Sequence, residues 1–311
     1  MTDKKRVLIT GATGLLGTSL LLTQPENVEV YAAYHDYKQV LDLPGVNYIH
    51  LEIRDQDDVK RVVQEVKPQV IMHTAAHGRL DYCEANQDDA YKTNFLGTKY
   101  LVEAAKQIGA RIIFCSTNAT FDGYNPLYNE ESPQEPANYY GKTKVMAEKM
   151  IRESGVDYTI VRLMTMYGWN FQPQRKNMVS MLIEKLGQGN SLFMTNDLWN
   201  NMLYSKEAAK FFWKIVTDLD KTAKQTFNIA GDKRANRFET TMDACGVFGL
   251  DKSKVTEVDS DYFKGSEVPR APDTCFDTSK AQRVMGFKPI TLKVGFEDMK
   301  QNPLPNKIIT L

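Results

Sequence analysis

A tyrosine and a lysine four residues apart could carry out acid–base chemistry. They lie in the segment YGKTK at residues 140–144, where the sequence predicts a helix over residues 139–153. This spacing places Tyr140 and Lys144 on one helix face. Because an ammonium group stabilises a nearby phenolate, we predict a lowered pKa for the Tyr140 phenol. Tyr140 could then act as general acid towards a carbonyl being reduced, or as base in the reverse reaction. Tyr139 has no lysine four residues on.

Hydroxyl groups end the strand that is predicted just before this helix. The apolar run at residues 111–115 continues into Ser116 and Thr117. Open α/β sheets bind their ligands at the carboxyl ends of the strands, so a hydroxyl here could hydrogen-bond a substrate oxygen. A YxxxK pattern alone is weak and also fits a solvated helix face. Its combination with this strand end favours a reaction centre.

A glycine-rich turn near the N-terminus predicts a dinucleotide site. The segment TGATGLLG at residues 10–17 lies between a short apolar strand and a helix. Gly11 permits the tight turn, Gly14 leaves room for a pyrophosphate, and Gly17 allows the helix to pack closely on the sheet. The free N–H groups and dipole of the helix N-terminus favour the phosphate anion.

The end of the second predicted strand bears on the choice between NAD and NADP. An acidic residue there favours NAD and a basic one favours NADP. The segment at residues 32–38 contains both kinds. Asp36 could bind the ribose hydroxyls, whereas His35 and Lys38 could hold a 2′-phosphate while Asp36 faces solvent. We favour NADP(H) over NAD(H), and NAD remains the alternative.

The order of predicted elements indicates how these residues are positioned. Short apolar runs alternate with amphipathic helices throughout the first half of the chain, which is typical of a parallel sheet covered on both faces. We predict an α/β fold, a doubly wound parallel sheet (Rossmann) at residues 1–165 with a smaller C-terminal α/β substrate lobe at residues 166–311. Part of that lobe, at about residues 198–230, is a candidate to return to the Rossmann sheet.

Composition excludes several classes of protein. Lys+Arg and Asp+Glu both number 39, so a nucleic-acid partner is not expected. The sequence contains no apolar run of about 18 residues, which is the length that a membrane-spanning helix needs. The N-terminus lacks the apolar stretch of a secretory signal. Four scattered cysteines form no CxxC pair, which argues against a zinc ribbon or a disulfide framework. We expect a cytoplasmic protein without a bound metal, although His73 and His77 have the spacing of a helical metal pair.

Taken together, these motifs resemble those of the extended short-chain dehydrogenase/reductases, and among them the dTDP-4-dehydrorhamnose reductase family. The stretch STNATFDG at residues 116–123 is similar to the family's STDxxFDG, and residues 270–280 are similar to its RPxNSxLDTSK element. The resemblance spans nearly the whole chain. Its other segments are residues 10–17, 52–55, 73–76, 94–98, 140–144 and 162–168.

This resemblance implies roles for individual residues. Thr117, Tyr140 and Lys144 would form the catalytic set, and Lys144 would also hold the nicotinamide ribose. The remaining implied cofactor contacts are Gly11, Thr13, Gly14, Leu15 and Leu16 at the pyrophosphate, Glu52 and Ile53 at the adenine, Ala75, Ala76 and His77 beside the cofactor, and Leu163 near the nicotinamide.

The substrate end of the implied site departs from the family pattern. Arg270 would meet a phosphate of a nucleotide sugar. Asn118 stands where the family has an acidic residue, and we assign it to the substrate. The segment at residues 272–274 is shifted against the usual Arg-Pro.

The function implied is an NAD(P)H-dependent reduction of a 4-keto-6-deoxy nucleotide sugar. Hydride would come from the nicotinamide and the proton from Tyr140. A nucleotide-sugar epimerase or dehydratase on the same core is one alternative. Another is a non-catalytic NADP-binding regulatory subunit resembling that of methionine adenosyltransferase. Whether the chain forms a homodimer stays open.

Overall fold

A parallel sheet of seven strands forms the centre of the molecule, in the order β12-β7-β6-β5-β1-β2-β4. The computed structural model describes residues 4–36, 38–171, 176–265, 268 and 270–311. The strands in chain order are β1 (Lys5–Thr10), β2 (Val28–Tyr34), β3 (Gln39–Leu41), β4 (Val46–His50), β5 (Val70–His73), β6 (Arg111–Thr117), β7 (Tyr158–Leu163), β8 (Met166–Tyr167), β9 (Leu192–Thr195), β10 (Trp199–Asn200), β11 (Leu203–Tyr204), β12 (Gln225–Ile229), β13 (Ala235–Asn236), β14 (Val255–Val258) and β15 (Ile308–Thr310).

Helices cover both faces of this sheet, as the doubly wound prediction requires. The α-helices in chain order are α1 (Leu15–Leu22), α2 (Gln56–Val66), α3 (Leu80–Ala85), α4 (Gln87–Tyr91), α5 (Gly97–Ile108), α6 (Tyr139–Glu153), α7 (Met178–Gly187), α8 (Ser205–Thr217), α9 (Leu219–Thr222), α10 (Arg237–Phe248), α11 (Ser279–Met285) and α12 (Leu292–Gln301). The predicted fold class, a Rossmann-type parallel sheet, is confirmed.

Two separate apolar cores lie on the two faces of the sheet. In β1, Val7 and Ile9 pack into one core, which includes residues of α1 and α8. The intervening Leu8 packs into the other, which includes residues of α2, α5 and α6. All three side chains are fully buried. Because both faces are covered, the strand is continuously apolar rather than alternating.

The position of β1 in the sheet determines where a ligand can bind. β2 and β4 lie on one side of β1, and β5, β6, β7 and β12 lie on the other. The strand order therefore reverses at β1, and ligands of open α/β sheets bind outside the carboxyl ends of the strands at such a point. The glycine turn follows β1, and the Ser116–Thr117 hydroxyls end β6.

The helical segment at residues 87–108 contains an irregular turn. α4 ends at Tyr91, a π-helical turn occupies Lys92–Leu96, and α5 continues from Gly97. Asn94 in this turn is 1% exposed, and its amide hydrogen-bonds backbone groups of His77. A π turn inserts one extra residue per turn and is frequent at functional sites. The apolar periodicity of the segment gives no sign of it.

The second half of the chain builds a smaller lobe with its own core, which contains residues of α7, α10 and α12 and of the paired strands β9 and β14. Two elements from this half lie against the Rossmann sheet. β12 pairs in parallel with β7 at the sheet edge, and α8 packs on α1. Both fall within residues 198–230. No helix in the described part of the chain is long and apolar enough to cross a bilayer.

Candidate cofactor and active site

The glycine turn after β1 has the backbone geometry that a pyrophosphate site needs. Gly11 has φ +69°, and a Cβ there would lie 2.7 Å from the backbone nitrogen of Ala75. At Gly17 a Cβ would lie 2.3 Å from the Gly11 carbonyl oxygen. Any side chain at these two positions would collide with backbone, so both are required by the fold.

Gly14 differs from the other two glycines. A Cβ there would meet only the Gly11 carbonyl oxygen among the described atoms within 4 Å, at 3.2 Å. Gly14 is also the N-cap residue of α1, and it makes no side-chain capping hydrogen bond to the amides of this helix end. Open space in front of uncapped helix N–H groups suits an anion. The residues present therefore fit a dinucleotide pyrophosphate. Of the predicted neighbours, Leu16 is buried in the core and Leu15 is half-buried.

His35, at the end of β2, lies between two carboxylates. Its Nε2 is 2.8 Å from Glu52 Oε2, and its Nδ1 is 3.1 Å from Asp36 Oδ2. The Asp36 side chain is 89% exposed, as an NADP site with Asp36 facing solvent would have it. Lys38 is exposed, and its carbonyl oxygen accepts a hydrogen bond from the Leu311 amide at 2.9 Å.

A chain of ion pairs connects this strand end to the loop after β5. Arg54 donates to both carboxylate oxygens of Glu52 and lies 3.0 Å from Asp89. Asp89 in turn lies 2.9 Å from His77 Nε2. Burial acts to raise the pKa of Glu52, but hydrogen bonds from Arg54 and the nearby His35 outweigh it, so the pKa is lowered. Glu52 is therefore ionised near neutral pH.

The other residues predicted beside the cofactor occupy the same edge of the sheet. The Ala75 amide donates to Thr10 Oγ1 at 3.3 Å, and Ala76 follows it in the loop after β5. Ile53 is 7% exposed and packs into the core beside Gly97. Leu163, 3% exposed, is the register partner of Thr117 across β6 and β7.

Asn94 connects this loop to the catalytic helix, and His73 joins β5 to β1 and α5. Asn94 accepts a hydrogen bond from the His77 amide at 2.8 Å and donates to Thr143 Oγ1 of α6 at 3.1 Å. His73 is 1% exposed, with Thr10 and Thr98 hydroxyls on its two ring nitrogens. No group of three or more potential metal ligands is found among the described residues. Neither His73 nor His77 therefore lies in a candidate metal cluster.

The N-terminus of α6 is pressed against the end of β6. Asn138 caps the helix by accepting a hydrogen bond from the Gly141 amide at 2.9 Å. A Cβ at Gly141 would lie 2.0 Å from the carbonyl oxygen of Ala119. The Thr117 side chain is one of the groups that act on the Tyr140 phenol, and it lowers the pKa of that phenol. The structure therefore brings the predicted acid and the predicted hydroxyl together.

The electrostatics of this pair differ from the sequence-based expectation. Burial is the largest influence on Tyr140, and it raises the pKa of the phenol. Lys144 is not among the groups acting on that phenol; its Nζ lies 3.9 Å from the centre of the Phe114 ring. The expected lowering of the Tyr140 pKa by Lys144 is therefore wrong, because the ammonium faces an aromatic ring and the phenol is desolvated.

Burial also governs the groups around Lys144. It lowers the pKa of Lys144 to about 8, while Cys115 and Glu148 act in the opposite direction. Cys115, which the sequence analysis passed over, has its thiol pKa raised to about 11 by the same burial. An ammonium with a pKa near 8 is still largely charged at neutral pH.

The predicted substrate residues lie where the two lobes meet. Asn118 accepts from the Thr117 hydroxyl at 3.3 Å and donates to Thr274 Oγ1 at 2.7 Å. Asn118 thereby connects the reaction centre to the C-terminal lobe. Arg270 forms an ion pair with Asp81 of α3 at 3.1 Å. Its assignment to a substrate phosphate stays a prediction.

Fold and site together define an extended short-chain dehydrogenase/reductase. The carboxyl edge of the sheet brings together an open glycine turn, the neighbouring side chains of Thr117 and Tyr140, and Lys144 on the same helix as Tyr140. Within that superfamily the chain belongs to the RmlD substrate binding domain family, whose model matches residues 5–303. The family resemblance inferred from the motifs is confirmed.

Individual relatives are of two kinds. The chain is 28% identical over 270 residues to methionine adenosyltransferase 2 subunit beta of Bos taurus, covering 86% of this chain and 79% of that protein. It is 26% identical over 294 residues to a dTDP-4-dehydrorhamnose reductase of Aggregatibacter actinomycetemcomitans, covering 91% and 94%. The crystal structure of a dTDP-4-dehydrorhamnose reductase from Bacillus anthracis in complex with NADP has a TM-score of 0.83 at 25% identity, covering 96% of this chain and 99% of that one.

Proposed function

We propose that this protein reduces the 4-keto group of a 4-keto-6-deoxy nucleotide sugar with a nicotinamide dinucleotide. The observation that carries the proposal is the proximity of the Tyr140 phenol to the Thr117 side chain at the carboxyl edge of the sheet. The bound cofactor would supply the hydride. The protein would supply orientation and the proton.

The raised pKa of Tyr140 suits the role of proton donor. Because burial keeps the phenol neutral well above physiological pH, its proton is available when negative charge develops on the substrate oxygen. Thr117, a neighbour of the phenol, would orient the same oxygen. Lys144, largely charged below about pH 8, would hold the nicotinamide ribose.

We favour NADP(H) as the cofactor. His35 and Lys38 are the cationic candidates at the end of β2, and the exposed Asp36 side chain can stay in solvent. The Bacillus anthracis reductase was solved in complex with NADP. Glu52, which holds His35 at 2.8 Å, would have to share the imidazole with a 2′-phosphate, so NAD(H) is the alternative to test.

The direct test is oxidation of NADPH by the purified protein with dTDP-4-dehydrorhamnose and other 4-keto nucleotide sugars. Consumption of NADPH together with a reduced sugar product supports the proposal. Conversion of a sugar without net NADPH consumption would instead favour an epimerase or dehydratase.

A regulatory role is the second candidate, because methionine adenosyltransferase 2 subunit beta is a relative at 28% identity. In that case the protein would bind NADP without turnover and would associate with a catalytic methionine adenosyltransferase. If no sugar in the panel is reduced and NADP strengthens binding to such a subunit, this role replaces the reductase.

A further inference from the structure

One buried carboxylate contacts every element that carries the reaction centre. Glu148 lies on α6 one turn after Lys144 and is fully buried. Its Oε1 accepts a hydrogen bond from Ser116 Oγ at 2.5 Å, and Arg162 donates to both oxygens at 2.9–3.3 Å. Gln134 and Arg152 complete its contacts, at 3.1 and 2.8 Å. So many donors on one buried carboxylate make a rigid junction.

The partners of Glu148 are direct neighbours of the reacting groups. Ser116 precedes Thr117 on β6, and Arg162 precedes Leu163 on β7. Glu148 itself shares its helix with Tyr140. We infer that Glu148 is a positioning residue that holds the hydroxyl of Thr117 and the phenol of Tyr140 in reacting geometry by joining β6, β7 and α6.

Arg162 makes the charge of Glu148 necessary. The Arg162 side chain is 2% exposed, and beyond the carboxylate its Nη1 donates to the Glu130 carbonyl oxygen at 3.2 Å. A buried guanidinium without its carboxylate is strongly destabilising, whereas removal of both charges is often tolerated. Burial acts to raise the pKa of Glu148, but Arg162 and Ser116 outweigh it, so the carboxylate is ionised.

The same carboxylate also acts on Lys144. The groups that face the ammonium are the Phe114 ring and the Cys115 thiol from β6, His73 from β5, and Glu148 from its own helix. Glu148 raises the pKa of Lys144 against the effect of burial. Loss of the negative charge on Glu148 should therefore lower the pKa of Lys144 below about 8. Activity that depends on the charged ammonium of Lys144 should then be lost at a lower pH.

The inference rests on the proposed reductase activity, and Glu148→Gln tests it. The amide keeps the shape but loses the charge and one acceptor. We expect kcat to fall on the order of 10-fold or more, since small displacements of reacting groups are costly. The alkaline limb of the kcat profile should move to lower pH. Glu153→Gln is the matched control, because Glu153 is an exposed residue of the same helix, and it should leave both unchanged.

A double variant separates the effects of Glu148 on positioning and charge from its effect on the stability of the protein. Glu148→Gln with Arg162→Gln removes both buried charges, so it should regain thermal stability over Glu148→Gln alone while the alkaline limb stays displaced. If either variant has the wild-type kcat and alkaline limb, the inference is overturned.

A readout without turnover keeps this test separate from the proposed function. The titration of the Lys144 side chain, followed by NMR on isotope-labelled protein and assigned with Lys144→Arg, needs no substrate. A lower Lys144 pKa in the double variant supports the action of Glu148 even if no sugar is reduced, and an unchanged pKa overturns it.

Discussion

At the scale of single residues, the environment of the phenol decides its chemistry. Tyr140 and Tyr139 are adjacent in sequence, but it is the Tyr140 phenol on which the Thr117 side chain acts. The spacing to Lys144 singles out Tyr140 as the acid, which stays a prediction, and it predicted the wrong direction for the pKa of the phenol. That direction depends on the burial of the phenol, which no spacing within the helix reveals.

Replacing Tyr140 by Phe should therefore remove the proton donor and little else. Positioned proton transfer is worth about 10²–10⁴ in rate, and kcat should fall by roughly that factor, with folding and cofactor affinity retained. Steady-state kinetics on a verified keto sugar and calorimetry with NADPH check this. Tyr139→Phe is the control and should be nearly silent. Near-normal turnover in Tyr140→Phe would remove the phenol from the proposed mechanism.

His35 and Lys38 should set the preference between the two cofactors. If His35 and Lys38 hold a 2′-phosphate, NADPH binds more tightly than NADH to the wild type. Changing both residues to Ala then reduces the difference in affinity between the two nucleotides. Calorimetry with both nucleotides measures this directly. Tighter NADH binding in the wild type would instead assign Asp36 to the ribose hydroxyls.

At the scale of elements, strand ends and helix starts position the site. The limits of α6, Tyr139–Glu153, agree with the helix predicted from sequence, because an Asn cap and a following glycine mark them. The π turn over Lys92–Leu96 was not predictable, since the partners of Asn94 in this turn, His77 and Thr143, come from other parts of the chain. Glu148 escaped notice for the same reason, because its partners come from distant parts of the chain.

The glycine turn allows binding and folding to be tested separately. Gly14→Val should abolish dinucleotide binding while the melting temperature stays close to that of the wild type, because the added side chain enters space where a pyrophosphate would lie. Calorimetry measures the dinucleotide binding, and thermal unfolding measures the melting temperature. Gly11→Ala is the contrasting variant. Its positive φ and the 2.7 Å approach to Ala75 should make it lose stability. Unchanged cofactor affinity in Gly14→Val would place the nucleotide elsewhere.

At the scale of the whole molecule, the alternation of elements was sufficient to predict the doubly wound sheet. It was sufficient because buried parallel strands such as β1 are continuously apolar and their crossovers are amphipathic. The arrangement of the C-terminal half was harder to predict. β12 completes the sheet beside β7 although about sixty residues separate them, and short paired strands such as β10 and β13 carry almost no periodic signal.

The pH dependence of unfolding is also a property of the whole molecule, and His73 should contribute to it. Burial lowers the pKa of this histidine to about 3, with the Lys144 charge acting in the same direction. The unfolded chain, with an ordinary histidine pKa of about 6.5, binds more protons between these values. Stability from His73 is therefore fully present above about pH 6.5 and is lost progressively as the pH falls towards 3.

We expect the free energy of unfolding to be roughly 2 kcal/mol lower at pH 5 than at pH 7 on this account. Urea titrations at both pH values measure it. His73→Gln should be less stable than the wild type at pH 7, because the hydrogen bonds to Thr10 and Thr98 are weakened, but it should lose less stability on acidification. His50→Gln is the control, since His50 is half exposed, and should keep most of the wild-type difference. An equal loss on acidification in His73→Gln and in the wild type would show that other groups carry the pH dependence.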